Sequence, residues 1–308
     1  MTLQDGISTA SEGRVRARTV DDVVFRDLLE FGDEMLTPVE RWQIAFVRRT
    51  FESTGLDRVI RTLQRHIGAN WIEQSIKNLR HVYGVERLPV LARDESTILV
   101  SNHRSFFDLY VVTAYLVKRG MPQRLVFPVR SEFFYDQPLG LAVNGLMSFF
   151  AMYPPLFRGR KRAALNIASL DEVVRLLRNG GAFVGLHPEG TRNMSDDPYA
   201  LLPARNGVGR MIQAARGKAR VIPVFINGLS NDIIGQIKSN YLKNGKPVTV
   251  VFGKPIDFGT MLDGPPSPRL HRQISEVTLE KIRALGEEDR ANRAAGLADP
   301  SARRRTGR

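Results

Sequence analysis

The sequence contains no cysteine among its 308 residues, and that absence narrows the chemistry open to the chain. Without thiols it can form no disulfide, no thiolate metal site and no cysteine nucleophile. It also lacks the G-x-S-x-G pattern that presents an activated serine. The histidines are few and far apart in the sequence, with no H-x-x-x-H or H-E-x-x-H pair among them: His66, His81, His103, His187 and His271. The sequence therefore predicts neither a metal site nor a cofactor.

Long unbroken apolar runs are also scarce. Residues 1–17 are polar and basic and have no apolar core of the length a signal peptide needs, so we expect none here. Residues 137–157 form an uncharged run of 21 residues, which by length alone could cross a bilayer, but prolines and glycines interrupt it. We therefore expect a short helix over 139–147 and a strand over 148–153, buried or facing a membrane rather than spanning it.

Acidic residues are too few to balance the basic ones, so the chain has a net charge of +13 and a pI of about 10.4. Residues 290–308 contain six arginines and one aspartate and carry +5 of that charge; their low apolar content predicts a disordered basic tail. The remaining basicity, including the cluster at 158–162, would suit nucleic acid, an anionic membrane or a phosphate-bearing substrate. Because no zinc-finger spacing, RNP-like aromatic block or GXXG clamp accompanies it, we expect no nucleic-acid partner.

Strand and helix patterns alternate through most of the chain. We predict strands over 97–100, 125–128, 182–186, 220–226 and 248–252, and helices over 109–117, 163–178, 207–216 and 270–285. This alternation is typical of a single α/β domain with a largely parallel sheet flanked by helices. We assign residues 83–289 to that domain, after a flexible segment (1–35) and a region of amphipathic helices (36–82).

The helical region has apolar residues interleaved with arginines over 39–51, and the amphipathic pattern continues over 56–66 and 71–82. These apolar faces could pack on the domain, or they could lie on an anionic membrane surface. The pattern alone leaves both interpretations open.

The first chemical motif lies between the strand at 97–100 and the helix at 109–117. His103 falls in the turn between them, and open α/β sheets bind their ligands at the carboxyl ends of strands. A neutral imidazole there can take a proton from a hydroxyl if Asp108 fixes its tautomer, which requires His103 outside the helix and Asp108 in its first turn. Ser105 and Asp108 also fit a capping box, in which the aspartate would be structural. The two interpretations are compatible.

The second motif follows the strand at 182–186. Residues 187–193 read His-Pro-Glu-Gly-Thr-Arg-Asn, which offers a carboxylate at Glu189 and a guanidinium at Arg192. Such a loop can bind sugar or glycerol hydroxyls and a phosphate, which arginine holds with two hydrogen bonds. The alternative is an ordinary strand-to-loop turn with Arg192 solvated.

Together these motifs resemble the glycerolipid acyltransferase family, whose members include enzymes that make phosphatidic acid from 1-acylglycerol-3-phosphate. The family's N-H-x-x-x-x-D block matches residues 102–108 and its P-E-G-T-R block matches 188–192. A segment ending in an apolar residue, any residue and arginine matches 156–158, and a strand with proline matches 221–224. The resemblance covers roughly residues 80–255.

The resemblance implies roles for individual residues. His103 would be the general base that deprotonates the acceptor hydroxyl, and Asp108 would orient it and stabilise its charged form. The hydroxyl would then attack an acyl thioester directly, without a covalent enzyme intermediate. That donor would be acyl-CoA or an acyl-carrier protein.

The same resemblance assigns the acceptor site. Glu189 and Gly190 would hold the glycerol hydroxyl, and Arg158 and Arg192 would hold the phosphate. Thr191 belongs to the same set of acceptor- or phosphate-binding residues. We expect the acceptor to be 1-acylglycerol-3-phosphate, a lysophospholipid.

Some positions depart from the family's pattern and leave the acceptor open. His187 stands where the family more often has an aromatic or apolar residue, and Asn193 where it often has serine. The His-Arg-Ser triplet at 103–105 is similar to the branch that acylates glycerol-3-phosphate itself.

Two alternatives come from other functional classes. One is a lipid or thioester hydrolase that activates water with the same base, and the other is an inactive membrane-binding scaffold. We expect a peripheral or monotopic protein at the cytoplasmic face of a membrane.

Overall fold

The structure is a computed structural model, and it describes residues 18–20, 23–136 and 139–296. Within these residues the strands are β1 (Arg18–Val20), β2 (Val23–Phe25), β3 (Arg80–Tyr83), β4 (Ser96–Ser101), β5 (Arg124–Val126), β6 (Val129–Arg130), β7 (Pro155–Leu156), β8 (Ala182–Leu186), β9 (Ala219–Asn227) and β10 (Val248–Phe252). The α-helices are α1 (Leu28–Phe31), α2 (Pro38–Glu52), α3 (Thr54–Leu63), α4 (Ala69–Ile76), α5 (Asp108–Lys118), α6 (Ser131–Phe134), α7 (Gly140–Ser148), α8 (Leu165–Arg178), α9 (Asn206–Ala214), α10 (Ile233–Leu242) and α11 (Pro268–Ala294). A π-helical turn (Gln64–Gly68) continues α3, and short 3-10 turns occur at Val85–Arg87, Arg160–Arg162 and Gly259–Asp263.

Six strands form the central sheet, in the order β3-β10-β9-β4-β8-β5. All neighbouring pairs in it are parallel except β9 and β10. The central strands are buried on both faces, as their continuous apolar runs require, and Ile98, Phe183 and Ile222 are fully buried. The predicted α/β fold with a largely parallel sheet is therefore confirmed.

The pairing of β4 with β8 determines where the two motifs lie. The strands are parallel neighbours with Val100 opposite Leu186, so the residues that follow them emerge side by side at one edge of the sheet. Loops at the carboxyl ends of adjacent parallel strands are where α/β folds bind ligands.

The prediction of a helix over 71–82 is wrong for its C-terminal part. Helix α4 stops at Ile76, and β3 begins at Arg80 and pairs with β10. The side chain of Asn240 accepts a hydrogen bond from the backbone N–H of Asn78 (2.8 Å), which ties the turn to α10, and the chain then enters the sheet edge. Because β3 has only four residues, its pattern was too short to distinguish from the last turn of an amphipathic helix.

The strand predicted over 148–153 is also wrong. Helix α7 includes Ser148, and Phe149 and Phe150 then adopt left-handed backbone conformations with φ of 49° and 58°, which turns the chain. The regular strand in this run is the two-residue β7, which pairs with β6. Among the described residues, no helix is long and apolar enough to cross a membrane.

Both chain ends contain more structure than we predicted. In the segment expected to be flexible, Phe25 and Leu28 are buried, and residues 1–17 and 21–22 lie outside the described residues. In the tail expected to be disordered, α11 continues to Ala294, while residues 297–308 lie outside the described residues. The proposed division of the chain into segments stays a prediction.

A buried ionic network attaches α2 to the body of the fold. The guanidinium of Arg48 donates to both carboxylate oxygens of Asp27 (2.9 Å each) and lies 3.3 Å from Glu172 on α8. The hydroxyl of Tyr153 donates to Glu172 (2.7 Å). Burial opposes the charged forms of these groups, but the charge of Arg48 holds the pKa of Asp27 and of Glu172 below the ordinary value. Arg48 is therefore a structural cation, not part of a solvent-exposed basic face.

We predict that Arg48→Ala lowers the free energy of unfolding by about 3–5 kcal/mol, because it leaves buried carboxylates without their cation. Urea unfolding of the purified protein measures this. Arg49→Ala is the matched control, since Arg49 is exposed on the same helix and its loss should change stability by less than about 0.5 kcal/mol. Equal effects of the two substitutions would contradict the role of the network.

Candidate active site

The loops that follow β4 and β8 are joined by the side chain of Glu189. One of its carboxylate oxygens accepts a hydrogen bond from the backbone N–H of His103 (2.8 Å), and the other accepts from the backbone N–H of Leu202 (2.7 Å). The backbone N–H of Asn193 also donates to the carbonyl oxygen of His103 (2.8 Å). Glu189 is only 1% exposed, and burial raises its pKa. Its carboxylate therefore braces the two loops and does not form part of an open surface.

Asn102, the first residue of the N-H-x-x-x-x-D block, fixes the end of β4. Its side-chain amide donates to the carbonyl oxygen of Ile226 and its side-chain oxygen accepts from the N–H of the same residue, both at 2.8 Å. These two hydrogen bonds extend the backbone hydrogen-bond ladder between β4 and β9 by one residue, through a side chain. His103 thus begins its loop from a rigid point.

His103 and Asp108 meet as the first motif requires. Helix α5 begins at Asp108, so His103 lies outside it, and Nδ1 of His103 is 3.2 Å from Oδ2 of Asp108. The same oxygen accepts from the backbone N–H groups of Arg104 (2.7 Å) and Ser105 (2.8 Å). The carboxylate therefore closes the turn and also orients the imidazole. The predicted capping box is wrong, because Phe107 rather than Ser105 is the N-cap of α5, with no side-chain cap, and the hydroxyl of Ser105 accepts from the backbone N–H of Phe107 (3.2 Å). With Nδ1–H donating to Asp108, Nε2 keeps its lone pair for a substrate proton.

The electrostatics of this pair suit a base. Burial lowers the pKa of His103 below its ordinary value, and the nearby charge of Arg192 lowers it further. Burial raises the pKa of Asp108 to about 6, against the opposing effect of the backbone N–H donors. At neutral pH the pair is therefore a neutral imidazole beside an ionised carboxylate, the state from which a general base works.

His187 lies against the face of His103, a contact that the sequence did not reveal. The ring centroids are 3.7 Å apart and the ring planes differ by 8°. Nδ1 of His187 is 3.0 Å from the carbonyl oxygen of Asn102, and burial lowers the pKa of His187 to about 3. His103, Asp108 and His187 place potential metal-ligand atoms within 4.8 Å of one another, but imidazole lone pairs lie in the ring plane. Because the two rings are nearly parallel, one ion cannot lie in both planes, so this arrangement does not suit a metal.

A cavity of about 280 Å³ opens beside His103. Its polar lining includes His103, Gly190, Thr191 and Arg192, which the sequence predicted as site residues. Its apolar lining comes mainly from α5, the residues after β5, and α9: Phe106, Leu109, Tyr110, Phe127, Met152, Leu156, Leu170, Leu186, Val208 and Met211. The cavity therefore combines a basic, hydroxyl-bearing rim with an apolar interior.

Two predicted acceptor ligands lie elsewhere. Arg158 is outside the cavity lining, and its guanidinium is 3.3 Å from the carboxylate of Glu132. The chain leaves the cavity after Leu156 and carries Arg158 onto the exposed surface. Glu189 is buried beneath the lining, with both oxygens bonded to backbone N–H groups. The structure thus places both side chains outside the cavity lining, and their predicted role as acceptor ligands stays a prediction.

Two further arginines, which were not predicted from the sequence, also line the cavity. Arg130 follows β5 at the same sheet edge as His103, and its guanidinium is 3.4 Å from the hydroxyl oxygen of Thr191. Arg205 immediately precedes α9, whose first residues also line the cavity. The position of Arg130 after a short strand was a usable signal, because carboxyl ends of parallel strands share one edge. Nothing in the sequence around Arg205 distinguishes it from a surface arginine.

The part of the chain that forms the site is similar to known acyltransferases. Residues 79–227, a range that contains both motif loops, match the family model described as Acyltransferase. It is similar to the 1-acyl-sn-glycerol-3-phosphate acyltransferase BAT2, chloroplastic, of Brassica napus, with 28% identity over 209 residues, 67% of this chain and 54% of the relative. The chain thus spans about half the length of that curated relative.

A solved structure shares the fold. The crystal structure of the 1-acyl-sn-glycerophosphate (LPA) acyltransferase PlsC from Thermotoga maritima matches with a TM-score of 0.50 and 22% identity, covering 86% of this chain and 94% of that chain. At this identity the likeness shows a common architecture.

We predict that Glu189→Gln lowers the free energy of unfolding by about 1–3 kcal/mol, because one of the two buried N–H groups would then face an amide NH₂ instead of an acceptor. Chemical denaturation measures the change. Glu95→Gln is the control: its carboxylate forms only a half-exposed ion pair with Arg220, which contributes about 1 kcal/mol or less. A Glu189→Gln protein with wild-type stability would contradict the bracing role.

Proposed function

We propose that this protein is an O-acyltransferase that moves a fatty acyl group from a thioester donor, acyl-CoA or an acyl-carrier protein, to the hydroxyl of 1-acylglycerol-3-phosphate. The observation that carries the proposal is the pairing of His103 with buried Asp108 at the rim of a cavity lined by arginines and apolar side chains. The relatives named above support the substrate class.

The reaction needs one proton carrier and no covalent intermediate. Nε2 of His103 takes the proton of the acceptor hydroxyl as its oxygen attacks the thioester carbonyl carbon, and Asp108 stabilises the imidazolium. Collapse of the tetrahedral intermediate breaks the carbon–sulfur bond. The thiolate leaves and takes the proton from His103, which restores the base. The absence of cysteine and of a serine elbow agrees with direct transfer.

The acceptor phosphate has a matching set of donors in the cavity. We assign it to Arg130, Arg192 and Arg205, with the N-terminal turn of α9 adding backbone N–H groups and the positive end of the helix dipole. Gly190 has a φ of +68°, and a Cβ atom there would lie 3.0 Å from the side chain of Arg205, so glycine leaves that arginine room. The apolar interior suits the acyl chains of donor and acceptor.

Incubation of the purified protein with labelled acyl-CoA, with and without the acceptor, tests the proposal. Acyl transfer requires acceptor and yields labelled phosphatidic acid, whereas a hydrolase releases labelled fatty acid without it. Glycerol-3-phosphate as a parallel acceptor separates the two acyltransferase branches. Fatty acid release at the same rate in all samples would overturn the proposal.

We predict that His103→Ala reduces turnover by about 10²–10⁴-fold without loss of folding, because it removes the base from a turn rather than the core. His66→Ala, at an exposed histidine of the π-helical turn, is the control and should keep wild-type turnover. In the wild type, kcat/KM should fall as the pH drops through about 6, where Asp108 gains a proton and no longer stabilises the imidazolium, and should fall further at lower pH as His103 itself is protonated. Near-normal turnover of folded His103→Ala protein would exclude the base.

For acceptor binding, we predict that Arg192→Ala raises the KM for the acceptor more than that for the donor. Arg192→Lys should restore it only in part, because an ammonium group cannot form the paired hydrogen bonds of a guanidinium. Arg158→Ala is the matched control and should leave both KM values near wild type, since Arg158 lies outside the cavity lining. An acceptor-specific effect at Arg158 instead of Arg192 would reverse the assignment.

We also propose that the protein acts at an anionic membrane surface. The helices α2 and α7 expose an apolar patch made of Trp42 (60% exposed), Phe46 and Leu146 (81% exposed). Phe46 packs against Phe150 just after α7, with ring centroids 5.5 Å apart, which joins the two helices in one surface. The remaining apolar side of α2, including Ile44, faces the core. Apolar insertion and attraction between basic residues and anionic lipids would act together.

We predict that Leu146→Ala weakens binding to vesicles containing phosphatidylglycerol by up to about tenfold, because it removes apolar surface from the patch. Leu242→Ala on α10 is the control, since it removes the same side chain at 60% exposure outside the patch. Sedimentation of the protein with vesicles measures binding, which should also weaken as salt is added. Equal losses for both variants would contradict the assigned surface.

A further inference from the structure

The stacking of His187 on His103 is the closest aromatic contact at the site, yet the proposed reaction gives His187 no part. Its ring lies 3.7 Å from that of His103 and nearly parallel to it. It is anchored at Nδ1, which lies 3.0 Å from the carbonyl oxygen of Asn102 and 3.0 Å from the hydroxyl of Ser101. Both rings are thereby fixed relative to the end of β4. A contact this close constrains how His103 can move.

We infer that His187 is a positioning residue for His103: its ring face holds the plane of the His103 imidazole and receives the imidazolium that forms during turnover. This inference rests on the proposed role of His103 as general base. It adds that the reaction depends on the aromatic face at position 187 and not on the hydrogen bonds of His187.

The hydrogen bond to Asp108 cannot orient His103 alone. It fixes one ring atom, Nδ1, at 3.2 Å from the carboxylate, and leaves the ring free to tilt about that contact. Tilting would swing Nε2 away from the acceptor hydroxyl. A flat surface against one face of the ring removes this freedom, and His187 supplies that surface.

The charge on the second ring also matters. A protonated His187 would set two cations face to face, whereas a neutral ring offers its π face to the imidazolium. Donation from Nδ1–H to the carbonyl oxygen of Asn102 suits the neutral form, and burial favours it. His187 is thus held in the state that can accept a positive neighbour.

The other charged groups around His103 do not replace this effect. Asp108 and Glu189 face it from α5 and from the loop after β8, and Arg104 and Arg192 bring positive charge. Asp108 stabilises the imidazolium at Nδ1, in the plane of the ring. The face of the ring is covered by His187.

Three substitutions separate the ring from its hydrogen bonds. His187→Phe keeps an aromatic face and loses the Nδ1 contact; His187→Leu loses both and keeps apolar volume; His187→Gln keeps a hydrogen-bond donor and loses the ring. We expect His187→Phe to keep kcat within a factor of about three of wild type, and His187→Leu and His187→Gln to lose about tenfold in kcat. His187 also borders the cavity, but its proposed role is to hold His103, so the KM for the acceptor should change less than kcat in all three variants.

The pH profile distinguishes positioning from a general structural role. His187→Leu should shift to higher pH the part of the acidic limb of kcat/KM in which His103 gains its proton, because a flexible side chain admits water to the face of His103 and relieves the burial that lowers its pKa. His187→Phe should leave the limb in place. Thermal unfolding of each variant checks that the fold persists, and the Phe and Gln variants keep the test valid if the Leu variant is unstable.

Two results would overturn the inference. One is equal kcat for the Phe and Leu variants, which would show that the ring face is irrelevant; the other is rescue by Gln with loss in Phe, which would assign the effect to the hydrogen bonds. His103→Ala, measured in the same assays, distinguishes failure of the proposed function from failure of the inference about His187. Retained turnover in His103→Ala would remove the proposed function itself, whereas an inactive His103→Ala with a wild-type His187→Leu would remove only this inference.

Discussion

The site depends on one buried carboxylate, that of Glu189, which joins two loops from distant parts of the chain. Its oxygens accept from the backbone N–H groups of His103, 86 positions earlier, and Leu202, 13 positions later. Without this carboxylate both N–H groups, whose hydrogen bonds are partly buried, would lose their acceptor, at a cost of up to about 1–3 kcal/mol each. Family resemblance suggests a direct contact between this glutamate and the acceptor. The geometry instead supports an indirect role, in which Glu189 does not contact the acceptor but sets the distance between the base and the residues that line the cavity.

The rest of the arrangement follows from that connection and from the sheet. Because β4 and β8 are parallel neighbours, their loops start side by side, and Asn102 and Asp108 then fix the ends of the first loop. His103 is held between Asp108 at its edge and His187 at its face. Arg130 and Arg205 reach the same cavity from other elements, after β5 and before α9, and join Arg192 from the loop after β8. The proposed chemistry needs this convergence, because a base without a bound acceptor has no hydroxyl to deprotonate.

Much of the fold and part of the candidate site could be predicted from the sequence, wherever the prediction depended on residues close together in the chain. The strands predicted over 97–100, 182–186 and 248–252 and the helix predicted over 109–117 depend on residues adjacent in the chain, and those predictions are confirmed. Long-range contacts were different. The displacement of Arg158 toward Glu132, the burial of Arg48 and the stacking of His187 depend on how distant elements pack, and no spacing encodes them. The four-residue β3 was missed because so short a segment fits either period.

The most direct test of the account is a crystal structure of the protein with 1-acylglycerol-3-phosphate bound and no acyl donor present. We expect the free hydroxyl of the acceptor to lie within hydrogen-bond distance of Nε2 of His103, about 2.6–3.2 Å. We also expect the phosphate among the guanidinium groups of Arg130, Arg192 and Arg205. A phosphate bound near Arg158, with the hydroxyl out of reach of His103, would contradict both expectations.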